Sequence, residues 1–340
     1  MKLRFLLAVP VLFIALSSCE GVSFQYKGYE KYTKGYLEFD EDDNFRVLQL
    51  TDAHWGVGSN LDLEEAYIRK IVGDTKPNLL SLNGDMFMHS NKAIVNRFFS
   101  VIDSLNVPFA YTYGNHDLQG LYDGEYIDSV VQKCNNSMLV NYNDDGLFGR
   151  SNYYINLHKK GEKNNISFQC IFMDSNSYYV GGEYDVFHPN QVDWYDRIVR
   201  DTMKANKAIL VWSLAFFHIP GPYFALAWEE VSKSALDCDH DSNLTGNGVG
   251  CNREPVSDGY KDDGMFQKMV ELGSTKGIFV GHDHVNNTQI DYKGVKLCYN
   301  LKCGQNIYHD ERLLGGQYID IKLDGSFVVT RHFQNYEGLK

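Results

Sequence analysis

Apolar and polar positions fall in blocks along this chain, and the apolar blocks that read as strands repeatedly stop on a cluster of polar side chains. Residues 45–51 (Phe-Arg-Val-Leu-Gln-Leu-Thr) are strand-like and run straight into Asp52-Ala53-His54. Residues 61–74 place Leu63, Ala66, Tyr67, Ile71 and Val72 at helical spacing, and Pro77 marks the break that follows. The short run 79–82 then ends in Asn83-Gly84-Asp85. A second helix is predicted over 92–105, and a strand over 108–112 stops at Gly114-Asn115-His116-Asp117. Strand, polar cluster, helix, strand is the rhythm of a layered α/β sheet, where functional groups collect in loops beyond the strand ends.

The middle of the chain changes pattern. Residues 153–157 and 166–173 are two strand-like runs around a turn containing Gly161, which predicts a hairpin, and a helix follows over 191–204. A strand is predicted over 208–212, leading to Phe216-Phe217-His218-Ile219-Pro220, and another over 277–280, leading to Gly281-His282-Asp283-His284. Strands dominate from 288 to about 332. Between them, 221–263 is rich in Gly, Asn, Asp and Ser without periodicity, and reads as one long loop. No repeat or Pro-rich linker divides the chain, so 45–335 reads as a single domain behind a lead-in over 20–44. The aromatic pairs Tyr178-Tyr179 and Tyr223-Phe224 suit either a cleft wall or a core.

Composition adds limits. With 340 residues, 44% hydrophobic and 22% charged, the chain can build a large core. A net charge of −12 speaks against nonspecific binding to nucleic acid, which rests on Lys and Arg displacing counterions. It does not exclude a small phosphate ester, because bound metal ions would set the local field. Lys2 and Arg4 precede the apolar run 5–16, the pattern of an export signal too short to span a bilayer. Leu16-Ser17-Ser18-Cys19 resembles the lipobox of bacterial lipoproteins, predicting an exported protein anchored to the cell envelope through a lipid on Cys19, or a secreted one if the signal is simply cleaved. Apart from that anchor no membrane contact is expected, and no protein partner is inferred. Six cysteines follow Cys19 and permit disulfides; the short loop from Cys238 to Cys251 is the first pair to test, and none has the spacing of a thiolate zinc site.

The polar clusters carry the chemistry. Asp52 and His54 are two apart and would point the same way on extended chain, and His282 and His284 repeat that spacing. Asp85 can bridge two cations, Asn115 offers an amide oxygen and His218 a further imidazole. Seven nitrogen and oxygen donors exceed one tetrahedral zinc and suit two ions sharing a carboxylate. Two ions roughly 3.5 to 4 Å apart can polarise a phosphoryl group, lower the pKa of a water toward about 7 and align it for in-line attack. Asp283, between two histidines, is expected to point away. Asp239, Asp241 and Asn243 begin like a calcium loop, but Leu244 and Gly250 stand where that loop needs Gly and Glu.

Taken in order, DxH at 52–54, GD at 84–85, GNHD at 114–117, the lone His218 and GHxH at 281–284 resemble the signature of the calcineurin-like metallophosphoesterase superfamily. The resemblance implies an α/β fold of two packed mixed β-sheets flanked by helices, with the metal site at strand C-terminal ends. It implies that Asp52, His54 and His284 hold one metal, Asn115, His218 and His282 the other, and that Asp85 bridges them. His116 would act as general acid or transition-state hydrogen-bond donor, with Asp117 orienting its ring. The cofactors implied are two divalent or trivalent ions, iron, manganese or zinc. The His-Ile-Pro block ahead of a long variable segment resembles the phosphatase branch related to purple acid phosphatases. The chain departs from those enzymes at Met88, where they carry a tyrosine, and in having His54, so no tyrosinate-to-iron colour is expected. The function expected is an exported dinuclear-metal phosphoesterase that hydrolyses phosphate monoesters by attack of a metal-bridging hydroxide. Phosphodiester or nucleotide hydrolysis, and a noncatalytic phosphoesterase-like binding protein, are the alternatives.

Overall fold

The computed structural model describes residues 30–140, 146–232, 238–244 and 248–339; the export signal and Cys19 lie outside the described residues. Strand β1 (Tyr36–Glu38) precedes β2 (Asn44–Leu50), α1 (Leu61–Thr75), β3 (Leu79–Asn83), α2 (Lys92–Ser104), β4 (Phe109–Thr112) and α3 (Gly124–Val131). Then come β5 (Tyr153–His158), β6 (Phe168–Phe172), α4 (Pro189–Ala205), β7 (Ser213–Phe216) and α5 (Tyr223–Ser232). The chain continues through β8 (Asn243–Leu244), β9 (Gly248–Val249), α6 (Met265–Leu272), β10 (Thr275–Val280), β11 (Gln289–Tyr292), β12 (Val295–Tyr299), β13 (Gly315–Lys322) and β14 (Phe327–Phe333).

Two mixed sheets result. The smaller runs β14-β13-β2-β3-β4 and the larger β1-β5-β6-β7-β10-β12-β11-β9-β8. Within the smaller, β2, β3 and β4 are parallel, so their polar ends all emerge at one edge. Their crossover helices begin where side chains cap them: Asn60 accepts from the amide of Leu63 at α1, and Asn91 from that of Ile94 at α2. In the larger sheet β6, β7, β10 and β12 are parallel neighbours.

Alternation along these strands sorts their side chains into two cores. Phe172, Phe216 and Phe279 pack with Val47, Leu80 and Tyr111 between the sheets, whereas their neighbours Ile171, Ala215 and Ile278 pack under α4, α5 and α6 with Trp194, Phe224 and Phe266. Tyr153, Phe172, Phe216 and Phe279 form a cross-strand stack with successive ring centroids 5.1 Å apart. The stack fixes β7 and β10 side by side, and with them the segments that carry His218 and His282.

Several expectations need correction. Residues 208–212 are not a strand: Lys207 and Ala208 take left-handed backbone, Ile209 and Trp212 are exposed, and the strand starts at Ser213. The stretch 221–263 is not one loop, since it contains α5 and the β8–β9 hairpin, and a disulfide joins Cys238 to Cys251 with Cα atoms 5.6 Å apart. Helix α5 buries Tyr223 and Phe224, placing that aromatic pair in the core. The lead-in 20–44 contributes β1 to the edge of the larger sheet, and beyond 335 Tyr336 stacks on Tyr67 at 4.1 Å.

Candidate metal centre

The ends of β2, β3, β7 and β10 deliver two sets of donors: Asp52, His54 and His284, and Asp85, His218 and His282, each set with its ligand atoms within 4.8 Å of one another. All six residues are buried. The reason for DxH differs from strand alternation. Asp52 and His54 both sit in left-handed backbone at φ 58° and 48°, as do Asp85 at 53° and His282 at 77°. Each chain therefore turns sharply at the end of its strand and folds its donor inward. Gly84 shares that conformation at φ 83°, and a Cβ there would press on the His218 ring at 2.8 Å. At Gly281 a Cβ would collide with the Thr51 hydroxyl.

In the first set, Nε2 of His54 lies 3.1 Å from Nε2 of His284, and Oδ1 of Asp52 lies 3.4 Å from the latter and 3.7 Å from the former. The point equidistant from these three atoms is about 2 Å from each, the length of a zinc-to-nitrogen or zinc-to-oxygen bond. In the second set, Nε2 of His218 lies 3.0 Å from Oδ2 of Asp85 without hydrogen-bond alignment. The tautomers suit metal binding. His284 donates Nδ1–H to the carbonyl of Tyr308 at 3.0 Å, and His218 donates Nδ1–H to that of Asn83 at 2.8 Å, which leaves both Nε2 lone pairs facing the centre. Asn115 gives its amide N–H to the Tyr178 hydroxyl at 3.0 Å, so its Oδ1 is the free end. That oxygen, Oδ1 of Asp52 and Nε2 of His218 and His282 are buried without a hydrogen-bond partner among the described residues. Buried polar atoms without partners are rare, and a convergent set of them fits metal ions.

The family model described as calcineurin-like phosphoesterase matches residues 45–286. The chain belongs to that family. Among curated relatives, "Probable inactive purple acid phosphatase 14" of Arabidopsis thaliana is 26% identical, over 89% of this chain and 79% of that protein. "Probable inactive purple acid phosphatase 29" of the same plant is 25% identical, over 80% of this chain and 75% of its own length. Among solved structures, a dimetal phosphatase from Danio rerio shares the fold at TM-score 0.54 and 10% identity, covering 85% of this chain and 99% of that one.

The electrostatics of this calcineurin-like phosphoesterase agree with the donor geometry. Burial opposes ionisation of Asp52 and Asp85, but the surrounding imidazoles, His218 foremost, hold both below the usual carboxylate range. Burial pushes His54 down to about 3, helped by Lys302, and His282 down to about 3, helped by His218; both imidazoles are thus neutral, the form that can bind a metal ion. His218 goes the other way: burial is overcome by the Asp85 and Asp52 carboxylates, which push it up to about 10. The two carboxylates favour a positive charge between those groups, which a bound metal ion would supply.

Two expected residues are placed as follows. His116 donates its backbone N–H to Oδ1 of Asp85 at 2.7 Å, and its ring centroid is 5.5 Å from that of His54, at the rim of the centre. Asp117 does not orient that ring. Its carboxylate accepts the backbone N–H groups of Asp85 at 2.9 Å, Gly114 at 2.8 Å and Phe87 at 3.0 Å, tying the GD turn to the GNHD turn. The partner of His116 is Gln119, whose Oε1 lies 2.7 Å from Nδ1. Asp283 accepts from the Tyr299 hydroxyl at 2.6 Å, away from the donors as expected.

Sequence reading missed Lys302 and Asn306, which lie beyond the residues matched by the family model. Lys302 is buried and donates to the carbonyl of Asp52 at 2.6 Å. Asn306 reaches the carbonyl of Ala53 at 3.4 Å and Glu64 at 3.3 Å. Both brace the backbone of the DxH turn. A lysine in a strand-rich C-terminal stretch reads as a surface charge, and only its burial at 1% exposure reveals otherwise.

Proposed function

We propose that this protein is an exported dinuclear-metal phosphatase that hydrolyses phosphate monoesters. The observation that supports it best is the pair of buried donor sets at the sheet edges, Asp52, His54 and His284 and Asp85, His218 and His282, with the unpartnered Oδ1 of Asn115 as the candidate seventh donor. Two ions held there would supply Lewis acidity to the phosphoryl group and an activated water for in-line attack. The chain supplies the rest. Oδ2 of Asp85 lies 3.0 Å from Nε2 of His218 in its own set and 3.9 Å from Nε2 of His54 in the other, so Asp85 could serve both ions. His116, held by Gln119 at Nδ1, carries a transferable proton on Nε2 in its imidazolium form, to give to the departing alkoxide. Asp117 and Lys302 hold the donor-bearing turns in place. Iron, manganese and zinc all suit nitrogen and oxygen donors of this kind.

A second reading is favoured by the relatives' names, which call those proteins probably inactive phosphatases: a phosphoesterase-like protein that binds a phosphate compound without turning it over. The full donor set and His116 support catalysis in this chain. The experiment is metal content per chain on purified protein, with hydrolysis of aryl phosphate mono- and diesters before and after chelation. Two ions per chain and chelator-sensitive monoester turnover are expected; preferential diester turnover would move the function to phosphodiesterase, and two ions without turnover of either would favour the binding protein. The basic and apolar N-terminal pattern with Cys19 supports export and lipid anchoring, which labelling with a radioactive fatty acid in wild type and Cys19→Ser tests directly.

A further inference from the structure

Beside the metal centre lies a cavity of about 460 Å³ that none of the donors uses. It begins at Gly114, next to Asn115, and includes Tyr178, whose hydroxyl holds the Asn115 amide. Leu118, Phe148 and Tyr178 form its walls and remain 43%, 43% and 42% exposed, although each is a large apolar side chain. Phe148 is held flat by stacking on His188 at a centroid distance of 3.5 Å. Apolar walls left open around a site of this size are a feature of ligand pockets.

The polar groups in the cavity say what kind of ligand it fits. Two carboxylates line it, and both are engaged. Asp174 accepts from the amides of Arg150 at 2.6 Å and Asn176 at 2.9 Å, and Asp185 from the amide of Val186 at 2.9 Å, with His188 Nε2 at 3.1 Å. Neither is free to hold a cation. Arg150 is neutralised by Asp128 at 2.7 Å, which argues against a second anion subsite. Asn176 is engaged as well. Its Nδ2 donates to the Val186 carbonyl at 2.7 Å and to Gln191 Oε1 at 3.0 Å. Gln191 in turn gives its own amide N–H groups to Asn152 and the Asp174 carbonyl, so the orientation of the Asn176 amide is fixed by its partners. Oδ1 of Asn176 is buried and out of a ligand's reach, so the contact left to a ligand is with the apolar walls.

We infer that this cavity is the alcohol subsite, and that it takes an aromatic group. The inference rests on the phosphatase reading for its position and on Leu118, Phe148 and Tyr178 for its chemistry. A planar ring covers the apolar walls, and the engaged polar groups around it demand no partner from the ligand. Esters of small hydrophilic alcohols gain nothing there.

The test uses phosphonates, which bind without reacting and so remove differences in leaving-group ability. On the manganese-reconstituted full chain, calorimetry compares methylphosphonate and phenylphosphonate, with turnover of methyl and phenyl phosphate measured alongside. Phenylphosphonate is expected to bind at least about tenfold tighter than methylphosphonate. Phe148→Ala and Leu118→Ser, both on exposed positions, are each expected to bring the phenyl-to-methyl ratio down severalfold. Equal binding of phenyl- and methylphosphonate with turnover of both esters overturns the subsite and leaves the phosphatase standing. Tight phenylphosphonate binding without turnover overturns the phosphatase and leaves the subsite. A ratio unmoved by both substitutions overturns the assignment to these walls.

Discussion

Replacing Asp117 by Asn separates two roles that the GNHD motif leaves confounded. In the structure Oδ2 accepts from the amides of Asp85 and Gly114 and Oδ1 from that of Phe87. An asparagine placed with its oxygen at Oδ2 keeps two of these bonds and turns its NH2 toward the N–H of Phe87. One charge-assisted bond, worth about 1.5 to 3 kcal/mol, is lost, and a buried N–H is left facing another donor. Against this, burial and the neighbouring Asp85 carboxylate push Asp117 up to about 7 in spite of its amide donors, so part of the cost of a buried charge is relieved. The net expectation is a loss of about 2 kcal/mol of folding stability. Because the broken bond lies in the turn that carries Asp85, metal affinity should fall by about 10- to 100-fold, the usual effect of disturbing an outer-shell partner. Chemical unfolding and titration with manganese read the two quantities separately. If Asp117→Asn kept its stability and both metals but showed a displaced pH optimum of kcat, Asp117 would be acting on the His116 proton, and the reading of it as a tie between turns would be wrong.

His116→Gln is expected to lower kcat by about 10²- to 10⁴-fold while two ions remain bound, checked by metal content on the same sample used for kinetics. Burial pushes Glu64 from 4.5 up to about 7 against hydrogen bonds from Tyr336 and Asn306. The folded state therefore holds this proton more tightly than the unfolded one, and stability falls as pH rises from about 4.5 to 7, by up to ~3 kcal/mol. Urea unfolding at pH 5 and pH 7.5 should show a smaller drop for Glu64→Gln than for wild type; an equal drop would show that Glu64 does not titrate in that window. The disulfide closes a span of 13 residues, so Cys251→Ser is expected to cost about 2 to 3 kcal/mol, read as a lower midpoint in urea that reducing agent produces in wild type but not in the variant.

What the sequence made legible is what the chain encodes locally. The runs at 45–51 and 79–82 are apolar because β2 and β3 are buried strands, and each ends in its donors because parallel strands deliver their C-terminal ends to one edge. The hairpin of β5 and β6 and helix α4 were equally readable, from two strand-like runs around a polar turn at Gly161 in the one and a 3.6-residue period of buried positions in the other. Helices α3 and α6 escaped notice because eight residues give barely two turns of periodicity, and their identity depends on packing. Helix α5 was hidden by the Gly-rich stretch around it. Residues 208–212 deceived in the other direction: Ile209, Leu210 and Trp212 are apolar but lie on the surface, and hydrophobicity alone carries no information on which side of a sheet edge a residue lands.

The seven candidate donors were legible as residue types, but the conformation that aims them was not. Spacing of two suggested extended chain, whereas Asp52, His54, Asp85 and His282 all occupy left-handed backbone, at a cost of roughly 1 kcal/mol or more each for residues with a Cβ. Such strain persists only where neighbours over-determine it, and the neighbours can be named. The amide of Asp52 donates to the Gly84 carbonyl at 3.1 Å and that of His54 to the Asp85 carbonyl at 3.0 Å, so the first two turns lock each other. The amide of His282 donates to Oδ2 of Asp52 at 3.0 Å, adding the third. Asp117 ties the GNHD turn to the same group by accepting from the amides of Gly114, Asp85 and Phe87, and Lys302 and Asn306 hold the carbonyls of Asp52 and Ala53 from behind. Every one of these bonds joins residues far apart in sequence, except that from Gly114 to Asp117, which is why no local pattern announces them. Their common effect is that the donors are held at metal-binding distances by the protein's own hydrogen bonds, so ion binding need not reorganise the turns. It follows that a substitution such as Lys302→Met, outside the motifs and touching no donor side chain, acts on the centre through the backbone of Asp52.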